Sequence, residues 1–393
     1  MIIGKIIIGK QNKRLINSIL IKDYIKKIKM SETIYLIAGA RPNFIKIAPL
    51  ITELKKTNIN FKLIHTGQHY DYNMSKVFFD DLGIPEPDIH LNIGSASHAV
   101  QTANIMIEFE KVISNEKPLL VVVVGDVNST IACALVAKKL NIKIAHVESG
   151  LRSFDQKMPE ETNRILTDQI SDFLFTTEYS AEVNLRREGI DQNKIYFVGN
   201  IMIDSLVKNI KLVRDTNNYK KYGLEKGQYA LVTIHRPSNV DTKEDLSKVV
   251  KMLDYIQEKL KIFFPIHPRT LKNLKKFNLE NELKKSNIIL SDPVGYLDFL
   301  NLMINSKMIL TDSGGIQEEA SFLKIPVLTL RENTERPITI EEGTNELIGK
   351  NFDKFKIYID KILSDRYKEG QNIEKWDGET AKRIIEIIKE KLF

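Results

Sequence analysis

Three acids and one histidine stand at the ends of apolar runs or at the start of an amphipathic stretch, and these residue types can transfer protons. Asp126 and Glu148 each follow an apolar run, Glu160 opens an amphipathic stretch after a proline, and His235 follows a third apolar run. Because the carboxyl ends of parallel strands meet at one edge of a sheet, we expect the four side chains to face one cleft. Such a cluster suits general acid–base catalysis on a carbon-bound proton or a sugar hydroxyl.

Each of these residues also has a purely structural interpretation. Asp126 could instead cap the helix that is predicted to begin just after it. Glu160 and Glu161 could be first-turn acids that interact favourably with a helix dipole. His146 and Glu148 are two residues apart in a predicted strand, so alternation predicts that they face the same side of the sheet.

The segment from Asp312 to Ala320 has the composition of a phosphate-binding turn. It reads Asp-Ser-Gly-Gly-Ile-Gln-Glu-Glu-Ala and directly follows the apolar run 308–310. The two glycines allow close approach of a ligand, and the helix that begins there offers unpaired N–H groups to an anion. Glu319 stands where a carboxylate could accept two hydrogen bonds from a ribose diol. The alternative is a glycine-containing connection followed by ordinary helix acids.

A second basic site follows the first predicted strand. This strand ends at Gly-Ala-Arg41-Pro-Asn, and Lys46 lies about one helical turn further on. Basic side chains at a helix N-terminus oppose the helix dipole unless an anion binds there. Alternatively, both residues belong to a solvated surface.

Short apolar runs alternate with amphipathic stretches from Thr33 onward, which is typical of a parallel sheet covered by helices on both faces. Strands are predicted at 34–38, 61–65, 119–124, 143–147, 173–176, 195–198, 229–234, 262–266, 288–290, 308–311 and 327–330. Helices are predicted near 44–56, 72–82, 98–114, 129–140, 161–170, 180–188, 242–260, 270–277, 295–305, 315–323, 353–363 and 379–392.

The predicted fold class is therefore α/β, with two Rossmann-like doubly wound parallel-sheet domains and a cleft between them. A length of 393 residues allows two domains of ordinary size. We assign 31–203 to the N-terminal domain, 204–227 to a linker, 228–378 to the C-terminal domain and 379–393 to a helix that packs across the domain junction.

The excess positive charge lies in the first thirty residues. The net charge is +7, and residues 1–30 contain eight basic residues and one acid, which leaves no net charge for the rest. The sequence therefore predicts no nucleic-acid partner. Segment 1–30 is an amphipathic surface element, an ordered extra piece, or upstream sequence from an early start codon. We favour the last, because Met30 would begin a complete domain.

The cysteine count and the absence of several known motifs argue against other classes of protein. The single cysteine, Cys133, forms no internal disulfide, and this favours a reducing cytoplasm. We find neither a membrane span nor a signal-cleavage pattern. Cys/His metal spacing, a P-loop, a Gly-x-Gly-x-x-Gly motif and a Gly-x-Ser-x-Gly elbow are also missing, so we expect no metal and no cofactor.

Taken together, the motifs resemble one family, the non-hydrolysing UDP-N-acetylglucosamine 2-epimerases, over about residues 33–390. The motifs occur in the family's order: Gly-Ala-Arg-Pro-x-x-x-Lys, His-Thr-Gly-Gln-His, Gly-Asp-x-Asn-Ser-Thr, His-Val-Glu-Ser-Gly-Leu-Arg-Ser, Met-Pro-Glu-Glu-x-Asn-Arg, Ile-His-Arg-Pro, Asp-Ser-Gly-Gly-Ile-Gln-Glu-Glu and Thr-Glu-Arg-Pro. As an ordered set they are far more specific than any one of them.

The resemblance implies a GT-B-like fold, a cytoplasmic homodimer and interconversion of UDP-GlcNAc and UDP-ManNAc for surface polysaccharides. The implied route expels UDP to give 2-acetamidoglucal and then adds it back. Candidates for proton transfer at C2 are Asp126, Glu148 and Glu160, with His235 assisting. The C-terminal domain is implied to bind UDP. Substrate contacts are implied at Arg41, Lys46, Asp126, Glu148, Arg164, His235, Phe299, Ser313, Gly314, Gly315, Glu319 and Arg336.

Two departures from the family pattern limit what the resemblance implies. Val294 stands where bacterial members often have Gln, and Gln68-His69 is followed by Tyr70 and Asp71, so the second Gln of Gln-His-x-x-Gln is missing. Allosteric activation by UDP-GlcNAc is therefore left open. The C3 and C6 substituents of the sugar are open too, because related epimerases act on UDP-diacetamido-glucuronic acid. Further alternatives are a hydrolysing epimerase, a glycosyltransferase and a non-enzymatic nucleotide-sugar-binding regulator.

Overall fold

A computed structural model of the chain describes residues 32–67, 79, 83–283 and 287–393. The basic segment 1–30, the Gln68-His69 pair and most of the helix predicted at 72–82 lie outside these ranges. Among the described residues, no helix is both long and apolar enough to span a bilayer.

The first sheet has seven parallel strands in the order β3-β2-β1-β4-β5-β6-β7. Valine runs buried on both faces, such as 120–124, form its centre. The strands are β1 Ile34–Ala38, β2 Phe61–His65, β3 Ile89–His90, β4 Leu120–Val124, β5 Lys143–Ser149, β6 Phe173–Thr176 and β7 Ile195–Phe197.

The second sheet has six parallel strands in the order β10-β9-β8-β11-β12-β13, which repeats the winding of the first sheet. The predicted fold class of two doubly wound parallel sheets is confirmed. The strands are β8 Tyr229–Thr233, β9 Lys261–Pro265, β10 Ile288–Ser291, β11 Met308–Thr311, β12 Val327–Thr329 and β13 Asn345–Leu347.

Helices cover both faces of each sheet. In the first sheet, alternate side chains of β1 separate two cores: Leu36 packs in one with Phe44 and Ile47, and Tyr35 packs in the other with Ala132. The helices are α1 Arg41–Leu54, α2 His98–Asn115, α3 Asn128–Lys139, α4 Pro159–Ile170, α5 Tyr179–Arg187, α6 Ile201–Val213, α7 Pro237–Val240, α8 Lys243–Gln257, α9 Pro268–Lys276, α10 Glu280–Leu283, α11 Tyr296–Ile304, α12 Gly314–Phe322, α13 Ile338–Glu341, α14 Phe352–Leu363 and α15 Thr380–Leu392.

The two sheets meet through α6 and α15. Helix α6 packs on α1 of the first sheet and on α11 and α12 of the second. On α6, Asp204 accepts hydrogen bonds from the backbone N–H groups of Thr380 (3.1 Å) and Ala381 (2.7 Å), so it caps α15. Helix α15 then packs on α1, and Ile384 enters the core of the first sheet. The domain boundaries at 203, 227 and 378 stay a proposal.

Strand order reverses at β1/β4 in the first sheet and at β8/β11 in the second. In doubly wound sheets the loops at such a reversal open a crevice at the carboxyl ends of the strands, and ligands bind there. The loops after β4 and β11 carry Asp126 and the Asp312–Ala320 segment, so the fold positions both candidate sites at a crevice.

Candidate active site

Glu148 lies in a β-bulge at the end of β5. The pairing with β6 shifts between Val147 and Ser149, and Glu148 has a φ of 72°. This backbone conformation is unfavourable for a residue with a Cβ, and it turns the side chain out of the strand's alternation. The carboxylate forms ion pairs with Lys46 and, at 2.5 Å, with Arg336 of the C-terminal domain. Glu148 is therefore held by cations from both domains.

The expectation that His146 and Glu148 face the same side of the sheet is wrong. His146 contacts Asp168 on α4, which packs with α3 on one face. Glu148 contacts Lys46 on α1, which covers the other face. The bulge is the physical reason, because it interrupts the period-two alternation between the two residues.

Asp126 does not cap the helix that follows it. The N-cap position of α3 is Val127, and Asp126 forms an ion pair with Arg164 of α4. Burial alone would raise the pKa of Asp126, but the positive charges of Arg164, Lys46 and Arg336 outweigh it and hold the pKa below its usual value. Asp126 is thus an anionic carboxylate in a cationic surrounding.

Glu160 and Glu161 have different environments. Glu161 is buried, and its carboxylate accepts hydrogen bonds from the backbone N–H and hydroxyl of Ser153 (3.0 and 2.9 Å) and from the backbone N–H of Phe154 (2.8 Å). Glu160 is half-buried. Burial lowers the pKa of Arg236, the charge of Glu160 acts on it in the opposite direction, and Arg236 Nη1 lies 4.0 Å from Met158 Sδ, two residues before Glu160. The structural interpretation therefore fits Glu161 better than Glu160.

Arg336 is a buried cation shared by three carboxylates. Its guanidinium pairs with Glu148 at 2.5 Å, with Glu318 at 2.7 Å and with the adjacent Glu335. Burial would lower the pKa of Arg336, but these three acids raise it well above its usual value. A planar guanidinium with five donors can serve several acceptors in this way.

The N-terminus of α12 presents backbone groups and almost no side chains. Ser313 is its N-cap residue and makes no side-chain capping hydrogen bond, so it leaves the first-turn N–H groups unbonded by its hydroxyl. A Cβ added at Gly314 would lie 2.8 Å from Glu335 Oε1 and 2.9 Å from Arg336 Nη1. Glycine at this position therefore lets Arg336 lie directly beside the helix N-terminus, and the two together can bind an anion.

A cavity of about 210 Å³ opens beside α12, with Val294, Phe299 and Ile316 among its apolar walls. Tyr296 also lines it and donates a hydrogen bond from its hydroxyl to Glu319 Oε1 at 2.9 Å. Burial raises the pKa of Glu319 to about 7. The cavity thus combines apolar walls with a buried carboxyl group, Glu319, bonded to one of its lining residues.

His235 lies at the mouth of this cavity. Its Nδ1 is 3.1 Å from Asp312 Oδ1; the histidine side chain is 43% exposed and the aspartate is fully buried. Asp312 also accepts the backbone N–H groups of His235 (3.0 Å) and Arg236 (2.8 Å). The ring of His267 lies 5.3 Å from that of His235. Asp312 therefore orients the histidine, a role that the sequence analysis missed.

The structure brings most of the predicted site residues into two groups. An ion-pair group includes Lys46, Asp126, Glu148, Arg164 and Arg336. A second group surrounds the cavity and the α12 N-terminus and includes His235, Phe299, Ser313, Gly314, Gly315 and Glu319.

Arg41 and Glu318 belong to neither of these two descriptions. Arg41 opens α1, and its side chain lies outside the described part of the chain. Glu318 was missed by the sequence analysis; it pairs with Arg336 and accepts a hydrogen bond from Asn200 at 2.8 Å. The only sequence signal for it was its position in the Gln-Glu-Glu run of the glycine-rich motif.

Comparison with known sequences identifies related proteins. A family model described as UDP-N-acetylglucosamine 2-epimerase matches residues 52–389. The chain is 48% identical over 359 residues to the UDP-N-acetylglucosamine 2-epimerase of Methanocaldococcus jannaschii, covering 90% of this chain and 98% of the relative. It is 42% identical over 365 residues to the UDP-2,3-diacetamido-2,3-dideoxy-D-glucuronate 2-epimerase of Pseudomonas aeruginosa, covering 90% and 99%.

Solved structures agree with the sequence relatives. The M. jannaschii UDP-GlcNAc 2-epimerase in complex with UDP-GlcNAc and UDP has a TM-score of 0.83 at 46% identity, covering 91% of this chain and 99% of that one. The Neisseria meningitidis UDP-GlcNAc 2-epimerase bound to UDP-GlcNAc has a TM-score of 0.84 at 31% identity, covering 91% and 100%. The fold is thus GT-B-like, and this chain belongs to the UDP-N-acetylglucosamine 2-epimerase family.

Proposed function

We propose that the protein reversibly inverts C2 of UDP-N-acetylglucosamine to give UDP-N-acetylmannosamine, without releasing free sugar. The observation that carries this proposal is the juxtaposition of two carboxyl groups, Asp126 and Glu148, with Arg336 beside the N-terminus of α12. Proton-transfer groups from one domain thus face an anion-binding group of the other. An enzyme that removes a C2 proton and expels a diphosphate needs both groups in one cleft.

UDP binding is assigned to the C-terminal domain. The first-turn N–H groups of Ser313–Gly315 and the guanidinium of Arg336 would hold the diphosphate, because both direct positive charge at one place. Glu319 would accept the ribose hydroxyls, and the cavity beside Phe299 would take the uracil. Lys46 and Arg41 would neutralise the diphosphate from the other domain, and Arg164 would hold Asp126 in place.

The reaction would proceed in two half-steps. A carboxylate removes the C2 proton, the C2–H electron pair forms the C1=C2 bond, and the C1–O electron pair departs with UDP to leave 2-acetamidoglucal. A second acid then delivers a proton to the other face of C2, and a UDP oxygen attacks C1. The C2 proton is weakly acidic, so stabilisation of the departing UDP must contribute much of the rate.

The proton-transfer groups are drawn from Asp126, Glu148 and Glu160, with His235 assisting. Asp126 is suited to accept a proton because neighbouring cations lower its pKa, and Glu148 lies between the cations Lys46 and Arg336. Glu160 is half-buried and does not make the hydrogen bonds to Ser153 and Phe154 that occupy Glu161. His235 is oriented by Asp312 and exposed at the cavity mouth, where it could donate to the leaving diphosphate.

A second candidate substrate is a UDP-diacetamido-glucuronic acid, because one relative at 42% identity carries that name. A hydrolysing reaction that yields UDP and free ManNAc is the other alternative. We also propose that the enzyme is a cytoplasmic homodimer that supplies ManNAc for surface polysaccharides. Light scattering on the purified chain tests the dimer, and a monomeric mass would overturn it.

The test of the proposed function is deuterium exchange on a panel of UDP-sugars in D₂O. We expect deuterium at C2 of UDP-GlcNAc and appearance of UDP-ManNAc, with the total nucleotide sugar constant. Release of UDP equal to the sugar consumed would favour hydrolysis. Exchange confined to the diacetamido-glucuronate would identify the alternative substrate, and absence of exchange with every member of the panel would overturn the epimerase proposal.

A further inference from the structure

His146 links the turn after β4 to helix α4 from a fully buried position. Its Nε2 lies 2.8 Å from the carbonyl oxygen of Gly125, and its Nδ1 lies 2.6 Å from Asp168 Oδ1. The first contact reaches the turn after β4, and the second reaches α4. Both ring nitrogens are therefore used, and each has one partner at hydrogen-bond distance.

The partners decide the protonation state of the ring. A backbone carbonyl only accepts, so Nε2 must carry a proton. Asp168 accepts the backbone N–H of Gly150 at 3.1 Å and pairs with Arg152 at 2.7 Å, and both contacts favour its ionised form. An ionised Asp168 only accepts, so Nδ1 must carry a proton too.

The backbone that His146 and Asp168 hold carries two of the proposed proton-transfer groups. Gly125 immediately precedes Asp126, and its backbone N–H is bonded to Val147 O at 3.0 Å. In β5, Glu148 occupies the bulge between His146 and Gly150, and Gly150 is held by the same Asp168 carboxylate. The His146–Asp168 pair thus fixes the backbone on both sides of Glu148 and at the residue before Asp126.

We propose that His146 is a buried imidazolium that positions Asp126 and Glu148 for proton transfer. This inference rests on the proposed function, since it assigns His146 a role in that reaction. It acts through backbone geometry and does not exchange protons with substrate. The charged groups around it balance: Asp168 faces the ring from α4, Arg152 contacts Asp168, and Glu188 pairs with Arg152 at 2.6 Å.

The first experiment is nitrogen-15 NMR on the full chain labelled at histidine. His146 is assigned as the signal lost in His146→Gln among the seven histidines. We expect both ring nitrogens to carry protons at neutral pH, because both of their partners are hydrogen-bond acceptors. In Asp168→Asn, which lacks the compensating charge, one of these two protons should be lost. A neutral His146 in the wild-type protein at neutral pH would overturn the proposal.

The second experiment separates positioning from folding. His146→Gln keeps a donor toward Gly125 but loses the charge, and we expect kcat to fall about 100-fold, as a misplacement of about 1 Å can produce, with KM and UDP affinity little changed. Ser171→Ala is the matched control, because it removes a buried hydrogen bond from the end of the same helix, Ser171 Oγ to Thr167 O at 2.7 Å. Its kcat should stay at the wild-type value.

The outcomes are distinguishable from failure of the proposed function. If His146→Gln loses thermal stability to the same extent as Ser171→Ala and keeps wild-type kcat, the positioning role is wrong although the enzyme is active. If wild-type protein shows no C2 exchange with any UDP-sugar, the proposed function fails, and the NMR experiment still decides whether the imidazolium exists. We also expect a higher kcat in His146→Gln than in His146→Leu. Such a difference would support the contact with Gly125, because glutamine keeps a hydrogen-bond donor and leucine does not.

Discussion

The guanidinium of Arg336 lies 2.5 Å from Oε1 of Glu148, and this ion pair joins the two domains at the crevice between their sheets. Arg336 also borders the glycine turn that is proposed to bind the diphosphate, since its Nη1 would lie 2.9 Å from a Cβ at Gly314. We therefore expect the diphosphate to compete with Glu148 for Arg336. Substrate binding would then weaken the ion pair and leave Glu148 a stronger base.

Replacement of Arg336 by lysine tests the shared cation. The ammonium group of Arg336→Lys would be a single point charge and could not serve Glu148, Glu318 and Glu335 together. We expect kcat/KM for epimerisation to fall by about 100-fold or more. The free energy of unfolding should fall by about 3 kcal/mol, because buried carboxylates lose their partner.

Arg269→Lys is the control for this substitution. Arg269 pairs with Asp241 at 2.5 Å in the same domain, but both side chains are exposed. We expect its effect on unfolding to stay below about 1 kcal/mol, the usual range of a surface ion pair. If urea denaturation shows that the two substitutions lower the free energy of unfolding equally, Arg336 is not a buried cation shared by three carboxylates.

The two glycines of the turn should respond differently to alanine. A Cβ at Gly314 would lie within 3.0 Å of Glu335 and Arg336, whereas the nearest atom to a Cβ at Gly315 is Met202 Cε at 3.7 Å. Gly314→Ala should therefore destabilise the protein, and Gly315→Ala should be neutral or stabilising by up to about 1 kcal/mol. Melting temperatures of the two variants check this, and the reverse order would refute the geometry of the turn.

We predict that Glu319 accepts hydrogen bonds from the ribose hydroxyls of UDP. Hydrogen bonds to a charged group contribute about 1.5–3 kcal/mol, so wild-type protein should bind UDP about 10- to 100-fold more tightly than 2′-deoxy-UDP. Glu319→Gln should lose most of this discrimination while it retains Tyr296 as a neighbour. Titration calorimetry with both nucleotides measures the ratio. Full discrimination in the variant would remove Glu319 from ribose recognition.

Glu178 should make the protein less stable as pH rises. It is buried, its carboxylate accepts the Ser180 hydroxyl at 2.5 Å, and burial raises its pKa to about 8. Between about pH 4.5 and about pH 8 the folded state keeps a proton that the unfolded state has lost, so this group's contribution to stability falls across that window. Glu178→Gln carries no such group, so its stability relative to wild type should rise from pH 5 to pH 9. A constant difference in unfolding midpoint would contradict the shifted pKa.

The fold was readily predictable because buried parallel strands appear as apolar runs. In the described part of the chain, all eleven predicted strands are present with small shifts at their ends, and the two that were missed there are the short, polar-containing β3 and β13. The loop residues Asp126 and His235 were predictable because polar groups at strand ends of a doubly wound sheet face one edge.

The electrostatic connections of the site were not predictable in the same way. Glu148 was expected to follow strand alternation, but a bulge with positive φ redirects it, and a local pattern does not reveal that distortion. Asp312 and Glu318 were overlooked as individual residues because their partners, His235 and Arg336, come from distant parts of the sequence. Only tertiary contacts distinguish such acids from acidic residues near a helix terminus that have no role in the site.

The central claim is that Glu148 transfers the C2 proton while the other domain retains UDP. Glu148→Gln preserves the shape of the side chain but removes its basicity. Glu116→Gln is the control, since Glu116 pairs with Lys62 at 2.7 Å in a partly exposed position of the same domain. Its exchange rate should match that of the wild type.

The decisive measurement is C2 deuterium incorporation into UDP-GlcNAc in D₂O by Glu148→Gln, together with its affinity for UDP. We predict that exchange falls by at least about 100-fold, the usual contribution of a general base, while UDP binding is retained. Exchange at the wild-type rate in this variant, with UDP binding intact, would contradict the claim that Glu148 transfers the C2 proton. It would also contradict the proposal that one domain transfers protons while the other binds UDP.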